Sequence, residues 1–273
     1  MTSEDLLNLL KKELASLNDA YKISLEVLKL TTPLKKIWSR SKSYENYFFY
    51  LIDKNKISRP INSNLYIDNI NDFKNKYLEF KNCLKNISKF KKDTKLNNEM
   101  LKLLDCIPYT IGINIGIGAD IILSEQEAKK NVGERFKELV DLIFKEIGIL
   151  TSREIKYGSY VDIVLGSPLY GSKPVLVSVK TTSKDRFKII FKEKNGVKGV
   201  KYICVFLHDV QRVKEYRISK TFVPKQFLKY YEQNPLDGVY YMDPPPEINK
   251  DEFKDKIKRF STLLVNDIWK LLE

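Results

Sequence analysis

The sequence predicts an α/β protein of the α+β kind: a helical N-terminal half, then a helix, a group of short strands and closing helices. Three observations predict it. Leu6, Leu7, Leu10, Leu14 and Leu17 recur at helical spacing near the start. A capped amphipathic stretch over residues 124–147 marks a second helical pattern. Between residues 155 and 207 the pattern changes to short β-branched runs separated by Gly, Ser and Pro. At 273 residues the chain is long enough for one large domain or two small ones.

Residues 1–30 read as helix, with Ser3 and the acids after it as the cap and the leucine stripe as a core or dimer face. Residues 34–60, carrying Trp38, Tyr44, Tyr47, Phe48, Phe49 and Tyr50, read as a further helix stopped at Pro60. These aromatics belong to a core, although Arg40, Lys42 and Lys54 beside them also suit base stacking. Over 71–97, Phe73, Tyr77, Phe80, Leu84 and Ile87 form an apolar stripe, and lysines from Lys74 to Lys95 form the other face, either solvated or laid on phosphates. The run from Pro108 to Ala119 alternates glycine with β-branched residues and reads as loop or strand around tight turns. Its GxGxA lacks the rest of a dinucleotide fingerprint.

The helix over 124–147 has Ser124 as cap, Glu127 in capping-box position, Val132, Phe136, Leu139, Val140, Ile143 and Ile147 on one face, and Gly148 as its end. Strands follow at 155–157, 160–165, 175–180, 188–191 and 202–207. Residues 224–232 and 251–273 read as helices, with a stiff Tyr- and Pro-rich segment at 240–246 between them.

The formal charge is +13, an excess that attracts polyanions, of which nucleic acid is the commonest, although a lysine-, asparagine- and isoleucine-rich composition also follows from an A/T-rich genome. Cys83, Cys106 and Cys204 are far apart and form no zinc pattern with the one histidine, His208. They read as buried thiols of a reducing cytoplasm. His208 has no accompanying nucleophile motif, which argues against Ser-His-Asp or Cys-His catalysis. The first residues show no basic and apolar leader, and no apolar stretch approaches a membrane span, so a cytoplasmic protein is expected.

The chemistry concentrates in residues 158–193. Asp162 lies in one apolar run, and Ser178 and Lys180 in the next, so a hairpin or adjacent strands bring them together. Ionisable groups on apolar strands need partners, and a carboxylate beside a lysine can hold a divalent metal against a phosphodiester. Glu193 supplies a second carboxylate if the chain between folds back. Two carboxylates so placed repel each other without a cation.

This arrangement resembles the PD-(D/E)XK nuclease superfamily, which includes most type II restriction endonucleases. Asp162 matches the first acid and Lys180 the lysine. Val161 stands where the family has proline, and Ser178 stands in the slot of the second acid. That departure is similar to the branch that cuts CCGG, CCWGG or CCNGG sites, in which Ser or Thr fills the slot and a downstream glutamate, here Glu193, moves into the metal site. The resemblance covers about residues 125–210. It implies a central mixed sheet flanked by helices, Mg²⁺ bound by Asp162 and Glu193, and double-stranded DNA as substrate. It further implies cleavage at a short G/C-containing palindrome by a prokaryotic, homodimeric enzyme, with a tetramer also open. Thr181, Thr182, Lys184, Asp185 and Arg186 match the branch's DNA-contacting stretch, and their chemistry agrees, since Arg reads guanine and Asp accepts from cytosine N4. Glu134, with Glu138 as its rival, resembles the family's auxiliary helical glutamate. On this reading residues 1–120 clasp DNA and dimerise, and residues 121–273 form the nuclease core. A repair or mobile-element nuclease of the same superfamily, or a non-catalytic DNA-binding protein on its fold, remain as alternatives.

Overall fold

The computed structural model describes residues 3–40, 47–53, 56–152, 161–166, 174–183, 186–197, 199–214 and 216–273. The N-terminal stripe forms two helices, α1 (Ser3–Lys11) and α2 (Leu17–Thr31). They separate because Ser16 caps α2 in a full capping box with Asp19. Among the described residues of 34–60 the expected helix is absent. Strands β1 (Lys35–Trp38), β2 (Phe48–Asp53), β3 (Lys56–Ile57) and β4 (Ile61–Asn62) form a small antiparallel sheet instead. Phe48, Phe49, Tyr50 and Leu51 are all buried, so β2 is covered on both faces and shows no alternation in sequence.

Helix α3 (Ile70–Phe90) matches the lysine-faced pattern, with Asn69 as its cap. The largest departure follows. The run read as loop or strand is the middle of α4 (Asn98–Ile122), a helix buried at every position from Leu103 to Ala119. A helix apolar all round is a core helix, and the core overrides the low helix propensity of its isoleucines and glycines. Gly118 lets α2 approach, since a Cβ there would stand 2.9 Å from a Val27 methyl. This helix is long and apolar enough to cross a membrane, against the sequence expectation, but 83% of its most apolar window is buried inside the protein.

Helix α5 (Glu125–Glu146) carries the expected capping box and ends at Gly148, whose φ is +83°. After it come β5 (Thr151–Ser152), β6 (Ile163–Leu165), β7 (Val175–Lys180), α6 (Phe187–Gly196) and β8 (Lys201–His208). The run at 188–191, read as a strand, is helical: Phe187, Ile190 and Phe191 share a face that packs on Phe206 and Phe227. The strand expected at 155–157 lies outside the described residues. A hairpin of β9 (Val210–Arg212) and β10 (Ile218–Lys220) precedes α7 (Pro224–Gln233) and β11 (Gly238–Asp243). Residues 251–273 are only partly helical: β12 (Ile257–Arg259) precedes α8 (Phe260–Thr262), a π-helical turn and α9 (Ile268–Leu272).

The main sheet runs β12-β11-β8-β7-β6-β5 among the described residues. The β5–β6 and β6–β7 pairs are antiparallel, and β7–β8, β8–β11 and β11–β12 are parallel, so the sheet is mixed. Val175, Val177 and Val179 point into a core shared with α1, α2, α4 and α5, while Leu176 points into an aromatic cluster with α6 and α7. The first of these cores runs unbroken from Leu6 to Leu271, across residue 120.

Candidate active site

The β6–β7 ladder sets the site. Ile163 pairs with Val177, and the Asp162 N–H continues the ladder to the Val177 carbonyl at 2.9 Å. The Asp162 side chain then takes over: its Oδ2 accepts the Val179 N–H at 2.7 Å and pairs with the Lys180 ammonium. Its Oδ1 lies 3.0 Å from Lys137 Nζ on α5, and the same ammonium is 3.0 Å from Glu134 Oε1. The Asp162 side chain is only 6% exposed. Burial lowers the pKa of the Lys137 ammonium, but Asp162 and Glu134 outweigh it and carry it above its ordinary value.

Glu193 sits on α6 and accepts a hydrogen bond from the Tyr202 hydroxyl at 3.2 Å. Tyr202 pairs with Leu176 in the β7–β8 ladder, and Ser178 with Cys204. Burial raises the Cys204 thiol's pKa. Lys180 pulls it down, and Asp162 and Glu193 push it up. Asp162, Lys180 and Glu193 thus each lie near enough to Cys204 to act on its thiol. Ser178 is fully buried there, and its Oγ has no hydrogen-bond partner among the described residues.

Glu134 and Glu138 part company. Glu138 is buried, pairs with Arg135 and accepts the Leu14 N–H at 3.0 Å, which ties α5 to the segment after α1. Glu134 is half-exposed and reaches Asp162 through Lys137.

The mixed sheet and these positions can be set against known structures. The crystal structure of the type IIP restriction endonuclease Kpn2I superposes with a TM-score of 0.80 at 17% identity, over 99% of this chain and 95% of that one. The fold is that of a restriction endonuclease. Metal-depleted Ecl18kI in complex with uncleaved DNA aligns more loosely, with a TM-score of 0.43 at 17% identity over 100% of this chain and 85% of that one. No protein-family model and no curated protein sequence matches the chain.

Of the residues expected to contact DNA, Lys184 and Asp185 lie outside the described residues. Arg186 is exposed at the N-terminus of α6. Thr181 and Thr182 line a groove of about 680 Å³ with Lys56, Arg59, Gln211 and Arg212. His208 closes its floor. It is buried, and burial with the nearby Arg59 pushes its pKa down to about 3, so it stands neutral and structural. The groove begins one residue beyond Lys180. A second cavity, of about 730 Å³, is lined by Asp105, Asp209 and Asp243 and by none of the residues around Asp162.

Sequence reasoning missed Lys137, Arg59, Gln211 and Arg212. Lys137 was detectable in principle as the residue one helical turn after Glu134. The other three come from segments whose approach to Thr181 only the tertiary fold reveals.

The chemistry of the donor set suits a hard divalent cation. Asp162 offers carboxylate oxygens against β7, the strand that carries the unpartnered Ser178 hydroxyl, and Glu193 on α6 offers another carboxylate. Among the described residues no three His, Cys, Asp or Glu side chains cluster tightly enough to make a metal cage. Magnesium needs no such cage: it binds through one or two carboxylates, waters and substrate phosphates.

Proposed function

We propose that this chain is a Mg²⁺-dependent type II restriction endonuclease that hydrolyses phosphodiester bonds of double-stranded DNA at a short G/C-containing palindrome. The observation that carries the reading is the Asp162–Lys180 pair at the opening of the β6–β7 hairpin, in a chain that shares its fold with Kpn2I. Asp162 and Glu193 hold the metal, with Ser178 in the slot between them. The bound ion supplies Lewis-acid polarisation of the phosphate and a more acidic water. Lys180 orients the attacking water and stabilises the charge of the pentavalent transition state. Glu134 is the auxiliary helical acid. Thr181, Thr182, Lys184, Asp185 and Arg186 contact the DNA, with Arg186 suited to guanine O6 and N7. The net charge of +13 favours the approach of the duplex. Cleaving both strands of a palindrome takes two sites related by a two-fold axis, hence a homodimer, which can pair further into a tetramer.

The test is digestion of long unmethylated duplex DNA with Mg²⁺, beside Lys180→Ala and an EDTA control. Discrete fragments that vanish in both controls are expected, and their ends give the recognition site. A smear or nicks lost in Lys180→Ala instead assign a nuclease without a short palindromic site. Intact DNA that is nevertheless bound assigns a non-catalytic binding protein.

A further inference from the structure

The two oxygens of Asp162 are engaged differently. Oδ2 is held within the hairpin by the Val179 N–H and by Lys180. Oδ1 faces α5, where its partner is the Lys137 ammonium at 3.0 Å, shared with Glu134 Oε1 at the same distance. Lys137 is therefore a cation suspended between two carboxylates from different elements, at the oxygen of Asp162 that points away from the ladder.

We propose that Lys137 is a built-in competitor for the divalent ion: its ammonium and the metal contend for Asp162 Oδ1, so Lys137 sets the metal affinity of the site. The proposal rests on the metal-dependent reading above. An ammonium at 3.0 Å from Oδ1 and a dication bound to the same oxygen repel each other strongly in a partly buried setting. One of them must leave, and Lys137 has the means. Its side chain is 27% exposed and stands on a four-carbon stem, so the ammonium can swing out to water while the stem stays on the helix. Lys180 has no such exit, being 15% exposed and bonded to the oxygen already tied into the ladder. The two lysines thus divide the work: Lys180 stays beside Asp162, and Lys137 yields. Glu134, left without its ammonium partner when Lys137 swings away, adds an uncompensated negative charge near the dication, which offsets part of the displacement cost.

The experiment is a Mn²⁺ titration of the full chain followed by electron paramagnetic resonance of the unbound ion, which needs no turnover. Mn²⁺ is a hard-oxygen stand-in for magnesium. Wild type, Lys137→Met, Lys137→Arg, Asp162→Asn and the Asp162→Asn/Lys137→Met double variant are compared, with thermal unfolding to verify each fold. Lys137→Met is expected to bind Mn²⁺ about tenfold more tightly than wild type, a difference of about 1.4 kcal/mol. Lys137→Arg, which keeps the charge, is expected to stay near wild type, and both Asp162→Asn variants to lose the site. Asp162-dependent binding that is equal or weaker in Lys137→Met overturns the competition while leaving the metal site in place. Binding that survives Asp162→Asn unchanged overturns the metal assignment and the competition with it. Lys137→Gln repeats the comparison with a polar side chain should the methionine variant fold poorly.

Discussion

Asp162 is held by four contacts to two elements, β7 and α5: its own N–H to Val177, Oδ2 to Val179 and Lys180, and Oδ1 to Lys137. Such a side chain is preorganised, which is what a metal ligand requires. Lys180→Ala removes the group assigned to the attacking water, and cleavage is expected to fall by about 10²–10⁴-fold, in the range for a general acid or base. Duplex affinity should change little, since the Lys180 charge is spent on Asp162. A parallel collapse of affinity in a gel-shift titration would reassign Lys180 to simple phosphate binding. Ser178 makes the opposite case. A buried hydroxyl without a partner costs stability of order 1–3 kcal/mol, so Ser178→Ala should unfold at the same or a higher urea concentration than wild type. If it unfolds earlier, the hydroxyl has a partner in solution. Asp162, Ser178 and Lys180 were legible in the sequence because strand spacing of two puts residues 178 and 180 on one face. Lys137 was not, because a helical lysine between acids reads as an ordinary solvated face until the fold brings Asp162 against it.

At the scale of elements, α5 works with two edges. One presents Glu134 and Lys137 to the hairpin. The other presents Asn131, Arg135 and Glu138 to the end of α1, where Asn131 and Arg135 donate to the Leu10 carbonyl at 2.7 and 3.2 Å. Residues three and four apart thus face the Asp162 hairpin on one side and the end of α1 on the other. Glu138→Ala leaves the Arg135 guanidinium buried without its carboxylate, and urea unfolding should show a loss of about 3–5 kcal/mol. Glu134→Ala breaks a half-exposed pair and should cost less than about 1 kcal/mol, while lowering cleavage. Equal stability losses would mean that the two glutamates are not divided in this way. Amphipathic elements such as α3 and α5 were legible because each has one wet face. The misread elements are those without one. Four consecutive buried residues in β2 and the all-buried span of α4 carry no periodicity, so strand and helix look alike. The 188–191 run failed differently: four residues are too short to show the helical period that Phe187, Ile190 and Phe191 complete in the fold.

Across the whole molecule, the parallel strands β7, β8, β11 and β12 all end on one edge of the sheet, at Lys180, His208, Asp243 and Arg259. That edge gathers buried ionisable groups. Burial pushes the carboxyls of Asp105, Asp209 and Asp243 up to about 7, against their hydrogen bonds from Ser261, from Thr221 and Ser183, and from Asn62 respectively. The unfolded chain releases these protons near pH 4, so between about pH 4 and 7 the folded state holds protons that the unfolded state has lost. Each carboxyl therefore contributes stability that is full at low pH and disappears as pH rises through about 7. His208, pushed down to about 3, has the opposite sign: its contribution is full above about pH 6.5 and is lost as pH falls toward 3. Three carboxyls oppose one imidazole, so the sum favours the acidic side. The unfolding free energy from urea titrations is expected to be larger at pH 5 than at pH 8, and Asp209→Asn and Asp243→Asn should each flatten the profile. Stability that instead climbs from pH 5 to pH 8, or a profile unmoved by both substitutions, would show that these carboxyls are ionised in the folded protein. The cavity they line would then be an anionic one, held by Arg259 and Lys102 at its wall.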